Sequence, residues 1–443
     1  MVVRGTLIDC AARETLRVLR HSVVGVDASG KICFVEHDHP EPLEPDGALL
    51  LREGEKRVAL GGVSIVDVPP RGFLVPGLID THTHAPQIVN AGKGYDLQLL
   101  EWLEQYTFPC EERFGEAEYA ETVCKTAVRR TLENGSTTCV YFGTIHADAA
   151  ITLGDTAASM GQRALVGKVN MDRNSPPTYC EPTSHSIAET ERFVKAMTDG
   201  SVGAARPSTV PPPLPIVTPR FVPTCTPELM MGLAEIARRY ELPIQSHVSE
   251  NRGEIEWVHS LHPDQPSYAA VYDHHGLLTR RTLLAHGVYL EADERKLLAE
   301  RGATVSHCPT RRAMPSGGVV DWRYEETAIL SPSHKIAVNS MLRSGMINVR
   351  QLLEDGVHVS LGTDVSGGAS PSILVAIRDA LKISNMVSLT AVREGKPFAP
   401  LTYAEAFWLA TVGGATALAI PGLTGTLEVG SDFDALIVDP QGG

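Results

Sequence analysis

The sequence predicts an α/β protein, a (β/α)8 TIM-like barrel carrying a small β-sandwich domain built from both chain ends. Three observations predict it. Eight short apolar runs alternate with amphipathic helical stretches through the middle of the chain, the pattern of parallel strands in a barrel. Most of these runs end in a residue able to do chemistry, as strands do at the C-terminal face of such a barrel. Short strands separated by Gly and acidic turns occur at both ends of the chain, so the two ends are expected to pair.

In chain order, residues 1–75 read as the first part of the small domain, with strands at 32–36 and 63–68. Residues 76–420 read as the barrel, its strands falling at 74–80, 138–142, 164–169, 216–221, 244–247, 283–286, 303–307 and 357–364. Residues 207–215 are proline-rich and uncharged, a loop before the fourth strand. The uncharged stretch 406–427 is interrupted by Gly413, Gly414 and Pro421, which favours a buried helix ending at Pro421 over a membrane span. Residues 421–443 complete the small domain, where Gly425-Thr426-Leu427-Glu428-Val429-Gly430 leads into Ala435-Leu436-Ile437-Val438.

The chain has 443 residues, 43% of them hydrophobic, enough for at least one large core. Lys and Arg total 39 against 53 Asp and Glu, a formal charge of −14 that argues against nucleic acid or an anionic membrane as the partner. Eight cysteines are scattered without a CxxC pair. The first ten residues carry Arg4 and Asp9 and lack an apolar run. A reducing, cytoplasmic setting with free thiols is expected.

The chemistry gathers at strand ends. His82 and His84 close Pro76-Gly77-Leu78-Ile79-Asp80-Thr81-His82-Thr83-His84, and on a strand residues two apart share a face. His247 ends the fifth strand, with Glu250 three residues on; His286 ends the sixth and Asp364 the eighth. A lone His at a strand end is usually a satisfied capping residue. This set forms one array at one end of one barrel, and nitrogen ligands with a carboxylate suit Zn²⁺ with a position left for water. Two-metal barrel hydrolases commonly bridge their ions with a modified lysine on the fourth strand. Here that strand ends Pro219-Arg220-Phe221, and Arg220 cannot serve so; Lys168, on the third strand, reads as structural. One metal per chain is expected.

The HxH strand with His247, His286 and Asp364 resembles the amidohydrolase superfamily. The finer pattern resembles its guanine deaminase family. Leu99-Leu100-Glu101-Trp102-Leu103, Tyr106-Thr107-Phe108-Pro109, Val166-Gly167-Lys168-Val169 and Thr218-Pro219-Arg220-Phe221 carry that likeness. So do Gln245-Ser246-His247-Val248-Ser249-Glu250-Asn251-Arg252 and Gly362-Thr363-Asp364-Val365-Ser366-Gly367-Gly368. It runs in order through nearly the whole chain. The resemblance implies that His82, His84, His247 and Asp364 bind one zinc ion, and that water attacks the carbon bearing an amino group. Glu250, read as one helical turn beyond a metal ligand, then moves the protons. His286 and Asp364 would hydrogen-bond the attacking oxygen. Gln87, Arg220 and Phe221, with His84, His247, Glu250 and Asp364, would hold guanine: Gln87 offers a donor and an acceptor, Arg220 donors to the carbonyl oxygen, and Phe221 a surface beside the ring. A homodimer is implied by resemblance only. The compact cytidine-type zinc deaminases need a P-C-x-x-C motif, which does not occur here.

The likeness breaks at residues 311–338, after His307-Cys308-Pro309-Thr310, and resumes near Asn339. This extra segment leaves a loop of the catalytic face and is read either as a lid or as a translated piece of unspliced message. Members of the family also continue for some tens of residues beyond the position of Pro440, which bears on the small β domain. Two rival functions remain at this point, another aminohydrolase and a non-catalytic scaffold that keeps the barrel. Loss of ligands would mark the scaffold, yet every ligand and Glu250 are in place.

Overall fold

The computed structural model describes residues 1–39, 48–50, 57–59, 61–309, 345–420 and 422–441. The extra segment 311–338 and Pro421 lie outside the described residues.

The middle of the chain is built from parallel strands. Leu78–His84, Ser136–Phe142, Arg163–Gly167 and Leu214–Pro215 form one four-stranded sheet, and Ile244–Val248, Thr282–His286, Thr304–His307 and His358–Leu361 form another. Between them lie the pair Val169–Asn170 with Thr218–Pro219 and a single bridge from Val217 to Ile244. At the other junction Asp364 N donates to the His82 carbonyl at 2.8 Å and His84 N to the Val365 carbonyl at 2.9 Å. The architecture is mixed α/β and consistent with a TIM-barrel-like enzyme. Among the described residues the eight strands do not form one closed ladder. Strands such as Leu78–His84 and Ile244–Val248 are buried along their whole length. Parallel strands covered on both faces are buried in this way, and these two carry polar residues such as Asp80, His82 and His247 as well as apolar ones. Their outer faces meet the helices in a core that includes Val128, Val166, Leu233, Leu284 and Val305.

Three expectations about elements need correction. The predicted first run divides at Gly77: Phe73–Pro76 pairs with Ala435–Val438, and only Leu78–His84 joins the parallel sheet. A Cβ at Gly77 would collide with the Thr137 and Asp434 side chains, so the chain changes sheets at a point that only glycine fits. The fourth run is broken into Leu214–Pro215 and Thr218–Pro219, because proline cannot donate to a ladder. The uncharged stretch near the C-terminus forms two helices, Tyr403–Ala410 and Val412–Ala417, turning at Thr411. A Cβ at Gly414 would lie 2.7 Å from the Ile79 Cβ, so the second helix packs directly on the first parallel strand. Among the described residues no helix is long and apolar enough to cross a membrane.

The chain ends do meet, in a six-stranded sheet ordered Ala435–Val438, Phe73–Pro76, Val2–Ala12, Thr15–Val26 and Ile32–Glu36, with Ile65–Asp67 also on Val2–Ala12. Leu427 packs with Val3, Leu7, Val24, Ile32 and Leu74 in its core, although residues 425–430 form turns and coil rather than a strand. Among the described residues this is one sheet, with an isolated antiparallel bridge from Lys31 to Asp432 and a separate pair, Ala48–Leu50 with Arg57–Ala59. The expected small β-sandwich is not confirmed among the described residues.

Candidate active site

The strand Leu78–His84 sends Thr81 inward, where its hydroxyl meets Ser306 Oγ at 2.7 Å, Ser360 Oγ at 2.8 Å and the Leu361 carbonyl at 2.8 Å. Asp80 binds the same strand to the last one: it accepts from Thr363 N at 3.0 Å, Thr363 Oγ1 at 2.5 Å and His82 N at 3.2 Å. Burial pushes the Asp80 carboxyl up to about 7 against those hydrogen bonds. With the strand ends tied in this way, His82 and His84 face Asp364. His82 Nε2 lies 3.3 Å and His84 Nε2 3.6 Å from Asp364 Oδ1. His84 Nε2 also lies 3.2 Å from His247 Nε2.

These atoms form two overlapping groups of possible ligands, His82 with His84 and Asp364, and His82 with His247 and His286, each within 4.8 Å. His82 Nε2 and His286 Nε2 are buried without a hydrogen-bond partner. Burial drives the His84 and His247 imidazoles well below their ordinary pKa, and takes His286 down to about 4 while Asp364 opposes it. Neutral imidazoles with inward lone pairs are what a metal ion requires. The His247 tautomer is held as well, because its Nδ1 donates to the Arg220 carbonyl at 2.6 Å and Nε2 is left as the acceptor. The donor set fits one divalent ion of the zinc class. His307, also at a strand end, belongs to neither group of possible ligands.

Glu250 sits beside this cluster, its Oε2 3.4 Å from His286 Nε2. It is not one helical turn past His247, as the sequence suggested. The chain leaves Ile244–Val248 through Ser249 at φ 47°, and the helix Arg252–Leu261 begins only after Glu250. Asn251 caps that helix in a capping box with Glu254, whose Oε2 also accepts from Glu250 N at 2.9 Å. His286 at φ 77° and Asp364 at φ 51° share the left-handed backbone of Ser249. Non-Gly residues in that region carry strain and cluster at functional sites.

A cavity opens next to the cluster, lined by His84, Gln87, Leu99, Trp102, Leu103, Arg220, Phe221, His247, Glu250 and Asp364. The structure therefore brings together all the residues chosen from sequence for substrate contact. His82 and His286 belong to the groups of possible ligands without lining the cavity.

A family model described as the amidohydrolase family matches residues 73–442. The chain is 42% identical over 442 residues to the guanine deaminase of Mus musculus, covering 100% of this chain and 87% of that one. It is 30% identical to the guanine deaminase of Escherichia coli strain K12, covering 97% of this chain and 89% of that one. The chain belongs to the amidohydrolase family, among the guanine deaminases. A guanine deaminase structure from C. acetobutylicum, with guanine bound in its active site, superposes with a TM-score of 0.82 at 33% identity. That superposition covers 99% of this chain and 90% of the other.

Within this amidohydrolase, several site residues escaped the sequence reading. Leu99, Trp102 and Leu103 had a signal, the i, i+3, i+4 spacing of one helix face. They line the cavity from Leu99–Trp102 and the π-turn Leu103–Thr107 that follows it. Glu111 had none, standing between Cys110 and Glu112 in a polar stretch that reads as a solvated face. In the structure it is fully buried. Its carboxylate accepts from Gln87 Nε2 at 2.9 Å and Tyr179 Oη at 2.9 Å, and from Arg220 Nη1 at 2.6 Å and Nη2 at 3.3 Å. Burial works against the Arg220 cation, and the Glu111 charge outweighs it, so the guanidinium pKa is raised. Lys168, read from sequence as structural, has its buried ammonium donating to Glu181 and to Ser186 Oγ.

Proposed function

We propose that this chain is a zinc-dependent guanine aminohydrolase that converts guanine and water to xanthine and ammonia. The observation that carries the reading is the buried His82, His84, His247 and Asp364 cluster opening onto a cavity that also holds Glu250, Gln87, Arg220 and Phe221. His82, His84, His247 and Asp364 would hold one zinc ion, which would supply Lewis acidity to activate water near neutral pH. Glu250 takes one proton from the attacking water and gives it to the ring nitrogen, then takes the second from the added hydroxyl and gives it to the leaving amine. His286, next to Glu250, and Asp364 hold the attacking oxygen toward the carbon that carries the amino group. Arg220 donates to the purine carbonyl oxygen, Gln87 binds the ring edge, and Phe221 flanks the ring, T-shaped against Trp257 at 6.3 Å between centroids. His84 and His247 bound the same pocket from the metal side.

The domain division at about residues 75 and 420, with the small domain made from both ends, is supported by the pairing of Ala435–Val438 with Phe73–Pro76. The two parallel sheets and the backbone bonds at their junctions support a closed (β/α)8 barrel. The eight free cysteines support a reducing, cytoplasmic setting. A homodimer rests on the family resemblance alone. The test of the function is a guanine-to-xanthine absorbance assay on purified protein with its metal content measured. Turnover with about one zinc per chain is expected, and a zinc-loaded protein that leaves guanine unchanged would overturn the reading.

A further inference from the structure

Glu111 does not line the cavity, yet it touches two residues that do. A buried carboxylate is tolerated only when its lone pairs are met, and here four donors from three segments meet them. Gln87 follows the strand Leu78–His84, Tyr179 follows Val169–Asn170, and Arg220 follows Thr218–Pro219. Glu111 thus ties three strand-end loops at one point.

We propose that Glu111 is the positioning residue that makes the pocket read an oxo purine rather than an amino purine. The proposal rests on the reading of the cavity as a guanine site. An ionised carboxylate only accepts, so the Gln87 amide must turn Nε2 toward Glu111. Its Oε1 accepts from Ser366 N at 3.4 Å and keeps a second lone pair as an acceptor. The same carboxylate takes one N–H from each terminal nitrogen of Arg220, which leaves that side chain's remaining N–H groups as donors. The Phe108 ring, 5.1 Å from the guanidinium carbon, backs it on one side. A donor beside an acceptor complements the carbonyl oxygen and adjacent ring N–H of guanine. A 6-amino purine presents the reverse, an amino donor beside a bare ring nitrogen, and is left with two mismatches.

The test compares variants of the zinc-loaded full chain, reading the guanine kcat and KM and the inhibition constant of 2,6-diaminopurine. Glu111→Gln puts an amide donor next to Gln87 and lets that amide turn over. Its guanine KM should rise at least tenfold with a smaller change in kcat. The preference for guanine over 2,6-diaminopurine should shrink at least tenfold. Glu111→Asp keeps an acceptor and should raise the guanine KM while retaining the preference. Where the Gln variant does not fold, the Asp variant alone decides. Its effect on KM should be at least tenfold in the parent and under threefold in a Gln87→Ala background. Equal losses on both purines in the Gln variant, equal effects of the Asp variant in both backgrounds, lost zinc, or failure of both variants to fold would make Glu111 merely structural and overturn the proposal. A zinc-loaded parent without guanine turnover is a separate outcome, which sinks the functional reading and this proposal with it.

Discussion

His247 Nδ1 donates to the backbone carbonyl of Arg220 at 2.6 Å, while the Arg220 guanidinium turns away to Glu111. One residue thereby sets the tautomer of a candidate ligand imidazole with its main chain and also lines the cavity beside the cluster. The two roles separate on substitution. Arg220→Lys keeps the carbonyl and the charge but loses the planar fork. Zinc content should stay at the parent value while the guanine KM rises at least about tenfold, the equivalent of one charge-assisted hydrogen bond. Loss of zinc in this variant would show that the side chain, and not the backbone, holds His247.

The metal prediction follows from the overlapping ligand groups, which share His82. Elemental analysis should find about one zinc per chain, as a mononuclear ligand set implies. His82→Ala should abolish both zinc and turnover. Chelation should lower the melting temperature, since an ion bound only by the folded state stabilises it by mass action. Two tightly held ions per chain would contradict the assignment.

Glu250 stands next to the cluster, outside the proposed ligand set, against His286. Glu250→Gln should therefore retain zinc and lose at least about a hundredfold in turnover, the low end for general acid–base catalysis. Parent-level turnover in a zinc-loaded variant would remove Glu250 from the proton path.

Lys168 separates a structural lysine from a metal-bridging one. Its ammonium and Glu181 are both buried, so Lys168→Met should cost about 3–5 kcal/mol by leaving a lone buried carboxylate. Replacing both in Lys168→Met/Glu181→Leu should recover most of that loss, read by chemical denaturation. Zinc content should not change in either variant that folds, and a fall in zinc would argue for a ligand role.

The sequence by itself determined the order of parallel strands, the pairing of the chain ends, and the histidines and carboxylates at the strand ends. Those features are local: a strand buried on both faces is written as an apolar run, and HxH shares a face because a strand repeats every two residues. It also marked Gln87, Arg220 and Phe221, though only through a family pattern. The tertiary structure alone decided the rest. Gly77 divides one predicted strand between two sheets because of what would meet its Cβ, which no window of sequence displays. Glu250 is aimed by a left-handed Ser249 and a capping box rather than by helical spacing. Glu111 looks like one of several surface acids until folding closes Gln87, Tyr179 and Arg220 around it. A charge becomes informative in this way only through burial, and burial is a property of segments distant in sequence packing together, not of the residue or its neighbours.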